Sequence, residues 1–472
     1  MSALPRQCQS RKVAREGLKK LTKGVGCNIL AGIMSNKAIN DAQMFETESV
    51  WKIIWKLTPP VMLSSLVYAL YNLVDSYFIG KYSTDGLTAL SVIFPLQLLL
   101  WGLGVGIGTG VNTQMSRLYA QKRMTTANYT GGAGQFLAFF AWFFLAIFSI
   151  LFMKLYVTTT ASSEKAIEYA IIYGNITMVG SLPISLCFVW EKIHQSYGNM
   201  KLPMIGQICG AVTNTILDPI FIFGWGPIPA MGIAGAAYAT IIGQTVNALV
   251  VFRGGWRPLP KLSALNKYSF HIFRLGFPAL LMQCLFTFYI YLLNVILAGF
   301  CDESVTVLGL YYKLQTFFFI PLFSLQVIIV PVLSYNYERK LFQRCHKILI
   351  DSILFSAITM IVGVICFEIY PVELISLFST EPKVIEIGIT AFRGIGASFL
   401  PACASLTFPI YFQAIGKGKE SSLLTILRQI FCLVPIFWLL SKIGLDYAWW
   451  SFPISEILTT MLGIYFYRKP GK

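Results

Sequence analysis

The sequence predicts an all-α membrane protein of twelve transmembrane helices arranged as two parallel six-helix repeats. Three observations lead there. Hydrophobic residues make up 56% of the chain and charged residues 12%, with a mean hydropathy of +0.66, so the chain carries about half the charge of a soluble one. Apolar blocks long enough to cross about 30 Å of hydrocarbon at 1.5 Å per residue recur twelve times. The second half of the chain repeats the first at an offset of 218.

The blocks lie near 57–80, 87–117, 128–153, 166–190, 202–224, 231–252, 271–299, 304–334, 347–370, 385–412, 421–441 and 446–467. Several contain Pro or Gly, which membrane helices tolerate because neighbouring helices satisfy the freed backbone groups. Of the 37 Lys and Arg, 29 fall in the two tails and the even-numbered connections, and 5 in the odd-numbered ones. The positive-inside rule then puts both termini in the cytoplasm. The net charge of +16 is accounted for by this topology, so no nucleic-acid partner is expected. Ten cysteines are scattered without a CxxC pair, as expected of structural thiols rather than a disulfide framework or zinc site. His194, His271 and His346 lie near cytoplasmic span ends, where a plain surface role is expected. The basic stretch before residue 50 lacks a signal-peptide core. It reads as a flexible tail, as a helix on anionic lipid, or as a region whose translation begins at Met34 or Met44.

The repeat is read by laying residues 57–97 on 275–315 without a gap. Pro60 meets Pro278, Tyr71 meets Tyr289 and Leu96-Gln97 meets Leu314-Gln315, with 8 identities in 41 positions. "LDPIF" (217–221) pairs with "LVPIF" (433–437) at an offset of 216. Six spans separate each pair, so both copies enter the membrane in the same direction. This is a transporter architecture, with a site near the midplane where the halves meet. The expected organisation is a basic tail (1–50), an N-terminal lobe (51–252), a cytoplasmic linker (253–270), a C-terminal lobe (271–467) and a short tail (468–472).

The repeat also tests the intramembrane acids. Asp75 aligns with Leu293 and Asp218 with Val434, so the frame can be built without either carboxylate. A charge at the bilayer centre costs about 2.5–3.5 kcal/mol. Counted from the outer span ends, Asp75, Asp218, Thr240 and Asn214 lie about 8, 9, 13 and 15 Å deep. Asn214 and Asp218 share a helix face at i, i+4. Two carboxylates, an amide and a hydroxyl make an oxygen-rich cage for a small hard cation, or a site that carries a proton. Pro60, fifteen residues before Asp75, loosens the first span's hydrogen-bond ladder. Lys313, Arg393 and Arg428 are intramembrane cations, Lys313 with Glu303 as a candidate partner and Arg428 expected to snorkel. Glu456 aligns roughly with Gln244 and is a further candidate acid. No GxxxxGK[ST], HExxH or GxSxG occurs, which leaves ATP drive and enzymatic activity without residues to carry them.

Several segments resemble the multidrug and toxic compound extrusion (MATE) family: "YALYNLVDSYFIGKYSTDGLTALS" (68–91), "GVGIGTGVNTQMSRLYAQKR" (104–123), "GNMKLPMIGQICGAVTNTILDPIFIFG" (198–224) and "GIAGAAYATIIGQ" (232–244). In the second half, 311–337 and 412–430 are similar as well. The resemblance implies two six-helix lobes around a cleft that opens alternately outward and inward. It implies efflux of organic cations and other amphipathic compounds in exchange for Na⁺ or H⁺. The pattern of the family's archaeal and bacterial DinF-like branch lands on Asp75, Asn214, Asp218 and Thr240 as the ion-coupling set, with transient Na⁺ among them if sodium couples. It also lands on Pro60 as a bending proline and Tyr71 as a site-lining tyrosine; Lys313 and Glu456 remain candidate cleft residues. The seventh span has no acid, unlike the NorM-like branch. The expected protein is a monomeric antiporter of the plasma membrane, a bacterial inner membrane, with small-molecule substrates and the lipid bilayer as partners. It needs no cofactor beyond the coupling ion. The alternative is a lipid-linked oligosaccharide flippase of a related fold.

Overall fold

A computed structural model describes residues 38–160 and 163–468. Residues 38–47 form a short helix, α1. Ser49 then caps α2 (Val50–Tyr82), its hydroxyl accepting from the Lys52 amide. Ser83 restarts the chain as α3 (Thr84–Ala120) by the same device, accepting from Gly86; such caps satisfy one of the four orphan amides of a helix start. α4 (Met124–Thr160), α5 (Glu164–Val179), α6 (Leu182–Gln195), α7 (Lys201–Phe223) and α8 (Gly232–Gly255) complete the first lobe. α9 (Leu262–Ala298), α10 (Asp302–Phe318), α11 (Ile320–Glu338), α12 (Phe342–Ile369), α13 (Pro371–Ser376), α14 (Pro382–Gly396) and α15 (Phe399–Ala414) follow. α16 (Gly418–Ile426) runs through a π-helical turn (Leu427–Leu433) into α17 (Val434–Ser441), and α18 (Leu445–Ala448) and α19 (Ser451–Arg468) end the described chain.

Among the described residues nine helices are each long and apolar enough to cross a membrane, counting Gly418–Ser441 as one, and two bent pairs bring the number to eleven. The twelfth span is α19, diluted by Ser455, Glu456, Thr459 and Thr460. The bent pairs restate the repeat in three dimensions. α5 and α6 meet at 45° across Gly180–Ser181, and α14 and α15 at 52° across Ala397–Ser398. Each is the fourth span of its lobe. In the first lobe, Pro183, the second residue of α6, favours a fresh helix start over continuation.

The lobes meet where small residues let backbones approach. A Cβ at Gly276 of α9 would stand 1.9 Å from the Gly106 carbonyl of α3, and one at Gly110 would stand 2.1 Å from the Ile272 carbonyl. At the same end of the bundle, predicted to be cytoplasmic, Arg117 donates to the Ala414 carbonyl at 2.8 Å and Gln121 to Glu338 at 2.6 Å. Helix α1 closes this end further. Phe45 is fully buried against Tyr335, and its carbonyl accepts from Asn336 at 2.9 Å and from Arg344 at 3.0 Å. Arg339 pairs with Glu46 at 3.2 Å, while Met44 covers Gly198 of the first lobe. The expectation of a flexible tail therefore does not extend to residues 38–50, because Phe45 and its carbonyl are anchored on the second lobe; residues 1–37 lie outside the described residues. The 253–270 linker is likewise half helical, since α9 begins at Leu262.

Candidate functional site

The first lobe's polar residues converge because α7 and α8 pack almost backbone to backbone. A Cβ on Gly210 would lie 2.7 Å from the Gly243 carbonyl, so the side chains one turn on face each other across a narrow seam. Asn214 stands on α7 one turn before Asp218, and Thr240 on α8 one turn before Gln244. The Asn214 amide donates to Asp218 Oδ1 at 3.2 Å and reaches Thr240 Oγ1 at 3.5 Å. Pro219 follows Asp218 inside the helix and leaves the Thr215 carbonyl without its i+4 donor.

Asp75 reaches this group from α2. It is buried, and Asp218 lies within electrostatic range of it, as Tyr71 does of both acids. Tyr71 and Asp75 are i, i+4 on one helix face. Tyr71 stacks edge-on with Tyr68 at 5.5 Å, and Tyr68 packs on Trp101 at 5.0 Å. Helix α2 is continuous through Pro59 and Pro60, so Pro60 lies on the same helix as Asp75 without breaking it here. All four cage residues are at most 8% exposed. One oxygen on each of Asp75, Asn214 and Asp218 (Oδ1, Oδ1 and Oδ2) has no hydrogen-bond partner.

Three unsatisfied oxygens in one buried group are costly unless something meets them. A small cation could do so, and it would also offset the repulsion of two carboxylates in a low-dielectric interior. The donor set suits Na⁺ or H⁺ and lacks the thiolate and imidazole groups of a transition-metal site. Among the described residues no group of three or more His, Cys, Asp and Glu side chains is placed to hold a metal.

Two neighbouring cavities adjoin the cage. One, of about 490 Å³, is lined by Asp75, Tyr71, Gln97 and Tyr173; the other, of about 290 Å³, by Asn214, Thr240, Gln207 and Glu191. Tyr68, Tyr71, Trp101, Thr240 and Gln244 line both.

The remaining sequence candidates lie elsewhere. Lys313 is exposed, 5.8 Å from the centre of the Phe378 ring. Glu303 pairs with Lys383 at 2.9 Å, which corrects the expected Lys313–Glu303 pair; both partners of the real pair stand at helix starts on the same end of the bundle. Arg428 does not snorkel, because Glu456 accepts from it at 2.8 Å inside the second lobe, with Ser405 donating to the other carboxylate oxygen. The surface role expected for the histidines fails at His194, which is buried between Tyr197 and the Val251 carbonyl.

The carboxylate of Glu191 was missed altogether. It lies one residue past the predicted end of the fourth span, whereas α6 continues to Gln195. The signal was present in Ser181-Leu182-Pro183, which restarts the helix at a new angle and lets it run deeper into the chain than one straight span would.

A polytopic helical bundle of two repeated lobes, with unsatisfied oxygens beside a cavity, defines a membrane transporter rather than an enzyme. The family model MatE matches residues 60–220 and again 278–439, two segments displaced by the offset of the internal repeat, and the chain belongs to this family. It is 25% identical over 442 residues to the multidrug export protein MepA of Staphylococcus haemolyticus, covering 90% of this chain and 96% of that one. It is 25% identical over 436 residues to MepA of Staphylococcus aureus, covering 90% and 95%. Among solved structures, an outward-facing multidrug resistance MATE family transporter superposes with a TM-score of 0.84 at 21% identity, covering 92% of this chain and 97% of that one. A MOP superfamily transporter from Pyrococcus furiosus gives 0.82 at 22%, covering 90% and 97%. These likenesses agree with the twelve-span, two-lobe fold.

Proposed function

We propose that the protein is a secondary active antiporter that exports small amphipathic compounds in exchange for Na⁺ or H⁺. The observation that carries this reading is the buried cage of Asp75, Asn214, Asp218 and Thr240, present in one lobe only and left with three unpartnered oxygens. The names of the MepA relatives support multidrug export. Both termini are assigned to the cytoplasm of a bacterial inner membrane, and the chain acts as a monomer. With that orientation the lobes are closed on the cytoplasmic side, through Gly106–Gly276 and Arg117–Ala414, and the cavities belong to the outward-facing state. A cation entering from outside binds between Asp75 and Asp218, α2 bends near Pro60, and substrate affinity falls on the outer side. Only a cation with different affinities for the two states can drive such a cycle.

The oligosaccharide flippase reading calls for a cationic cleft. Arg428 is neutralised by Glu456, and neither Lys313 nor Arg393 lines either cavity. Dye-loaded proteoliposomes with imposed Na⁺ or pH gradients test the proposal: one of the two gradients accelerates ethidium movement, and failure of both to move any organic cation rejects antiport.

A further inference from the structure

The cation cage does not use Glu191, yet this carboxylate lines the smaller cavity. Asn247 holds it in place, its amide nitrogen donating to Glu191 Oε1 at 3.2 Å and to Gln207 Oε1 at 3.3 Å, and Cys187 lies 3.4 Å from the same carboxylate oxygen. Among the described residues no Lys or Arg forms an ion pair with it. Lys192, next in sequence and within electrostatic range, runs its stem over Gly108 of α3. Asn247 is 3% exposed, lines the cavity, and its Oδ1 has no hydrogen-bond partner.

Much of the rest of the lining is aromatic. Tyr68, Tyr71, Trp101 and Phe188 line the cavity, which measures about 290 Å³, far more than a bare ion needs and at the lower edge of the range for small-molecule sites of about 300–1,000 Å³. Ring faces attract a cation electrostatically, most strongly where water is excluded, and a carboxylate held by amides supplies the counter-charge. Gln207 precedes Asp218 by eleven residues on α7 and Asn214 by seven, so Glu191 sits about 16 Å along the helix axis from Asp218 and about 10 Å from Asn214, which lines the same cavity.

From this geometry we infer that Glu191 is the counter-charge of a substrate site for aromatic organic monocations, separate from the Asp75–Asp218 cage and joined to it along the Tyr68–Tyr71–Trp101 wall. The inference rests on the efflux reading and names the substrate class of that cavity. Substrate and coupling cation then occupy different carboxylates and communicate through Tyr71, which borders both cavities.

The test is equilibrium binding of tetraphenylphosphonium to the purified full chain, with triphenylphosphine oxide as a neutral aryl control. Glu191→Gln keeps the oxygen that accepts from Asn247 and is expected to weaken tetraphenylphosphonium binding by about tenfold or more, or about 1.4 kcal/mol, with the neutral compound unaffected. Unchanged affinity for the cation overturns the inference, as does an equal loss of both ligands or absence of cation binding by the wild type. Should Glu191→Gln not fold, carbodiimide labelling of the wild type mapped by peptide mass gives the same answer. Tetraphenylphosphonium protects Glu191 if the inference holds and leaves it fully labelled if it does not. Efflux is judged separately: a wild type that binds tetraphenylphosphonium at Glu191, yet moves no organic cation under either gradient, refutes antiport and leaves the site standing.

Discussion

Asp218 has no exposed surface, and one of its carboxylate oxygens meets no protein donor; with Asp75 close by, a cation joining the pair would offset the cost of burying both acids. Replacing Asp218 by Asn should reduce gradient-driven efflux by about tenfold or more, a loss of about 1.4 kcal/mol of coupling, at normal membrane levels. Because the substitution removes a buried like-charge contact, cation-free Asp218→Asn protein should melt no lower than the wild type. With sodium as the coupling cation, the wild type should gain about 2.7 kcal/mol of stability at a hundred times its Kd, and Asp75→Asn should gain none. In the second lobe the charges are paired instead. Arg428 and Glu456, with side chains 14% and 11% exposed, should each cost about 3–5 kcal/mol when removed alone, whereas replacing both by Met should recover most of that loss. Thermal unfolding in detergent checks both. The cage residues could be picked out in the sequence because the sister half supplied an internal control, with Leu293 and Val434 where the acids would be. The Arg428–Glu456 pair could not, because the π-helical turn at Leu427–Leu433 sets the direction of Arg428, and hydropathy carries no trace of it.

At the scale of elements, the twelve apolar blocks were readable because each has to satisfy its own backbone in lipid, while the breaks within them were not. Each of the pairs that meet at Gly180–Ser181 and Ala397–Ser398 is apolar enough to read as one span, although the helices turn there by 45° and 52°. That is why a span edge read near residue 190 leaves Glu191 out, although α6 continues to Gln195. The contact between α3 and α9 depends on the absence of side chains at Gly106 and Gly276. Gly276→Val should force these backbones apart, since even a Cβ would stand 1.9 Å from the Gly106 carbonyl. Distances between spin labels on Arg117 and Ala414 positions, replaced by Cys for labelling, should lengthen in that variant. An unchanged distance would show that the two lobes are held by other contacts.

For the molecule as a whole, alternating access requires the closed end to part. Gln121 and Glu338 join the lobes there through their side-chain ends, 2.6 Å apart, so Gln121→Cys with Glu338→Cys, bridged by a bifunctional methanethiosulfonate reagent that spans the lost side-chain length, should stop efflux and release it on reduction. Helix α1 adds to the closure in a way the sequence did not reveal. Its ten residues, which include Asp41 and Glu46 and no Lys or Arg, are too few for a span, and its partners Asn336, Arg339 and Arg344 are almost three hundred residues away. Phe45→Ala should cost about 3 kcal/mol through the cavity it leaves, seen as a lower melting temperature. The central claim is that the first lobe's acid cage couples cation entry to substrate exit. Its most direct test is the reverse flux, in which an outward substrate gradient is imposed across proteoliposomes and inward Na⁺ or H⁺ movement is recorded with an internal indicator. Wild-type protein should drive cation inward, and Asp75→Asn and Asp218→Asn proteins should not; cation flux at the wild-type rate in either variant would contradict the account.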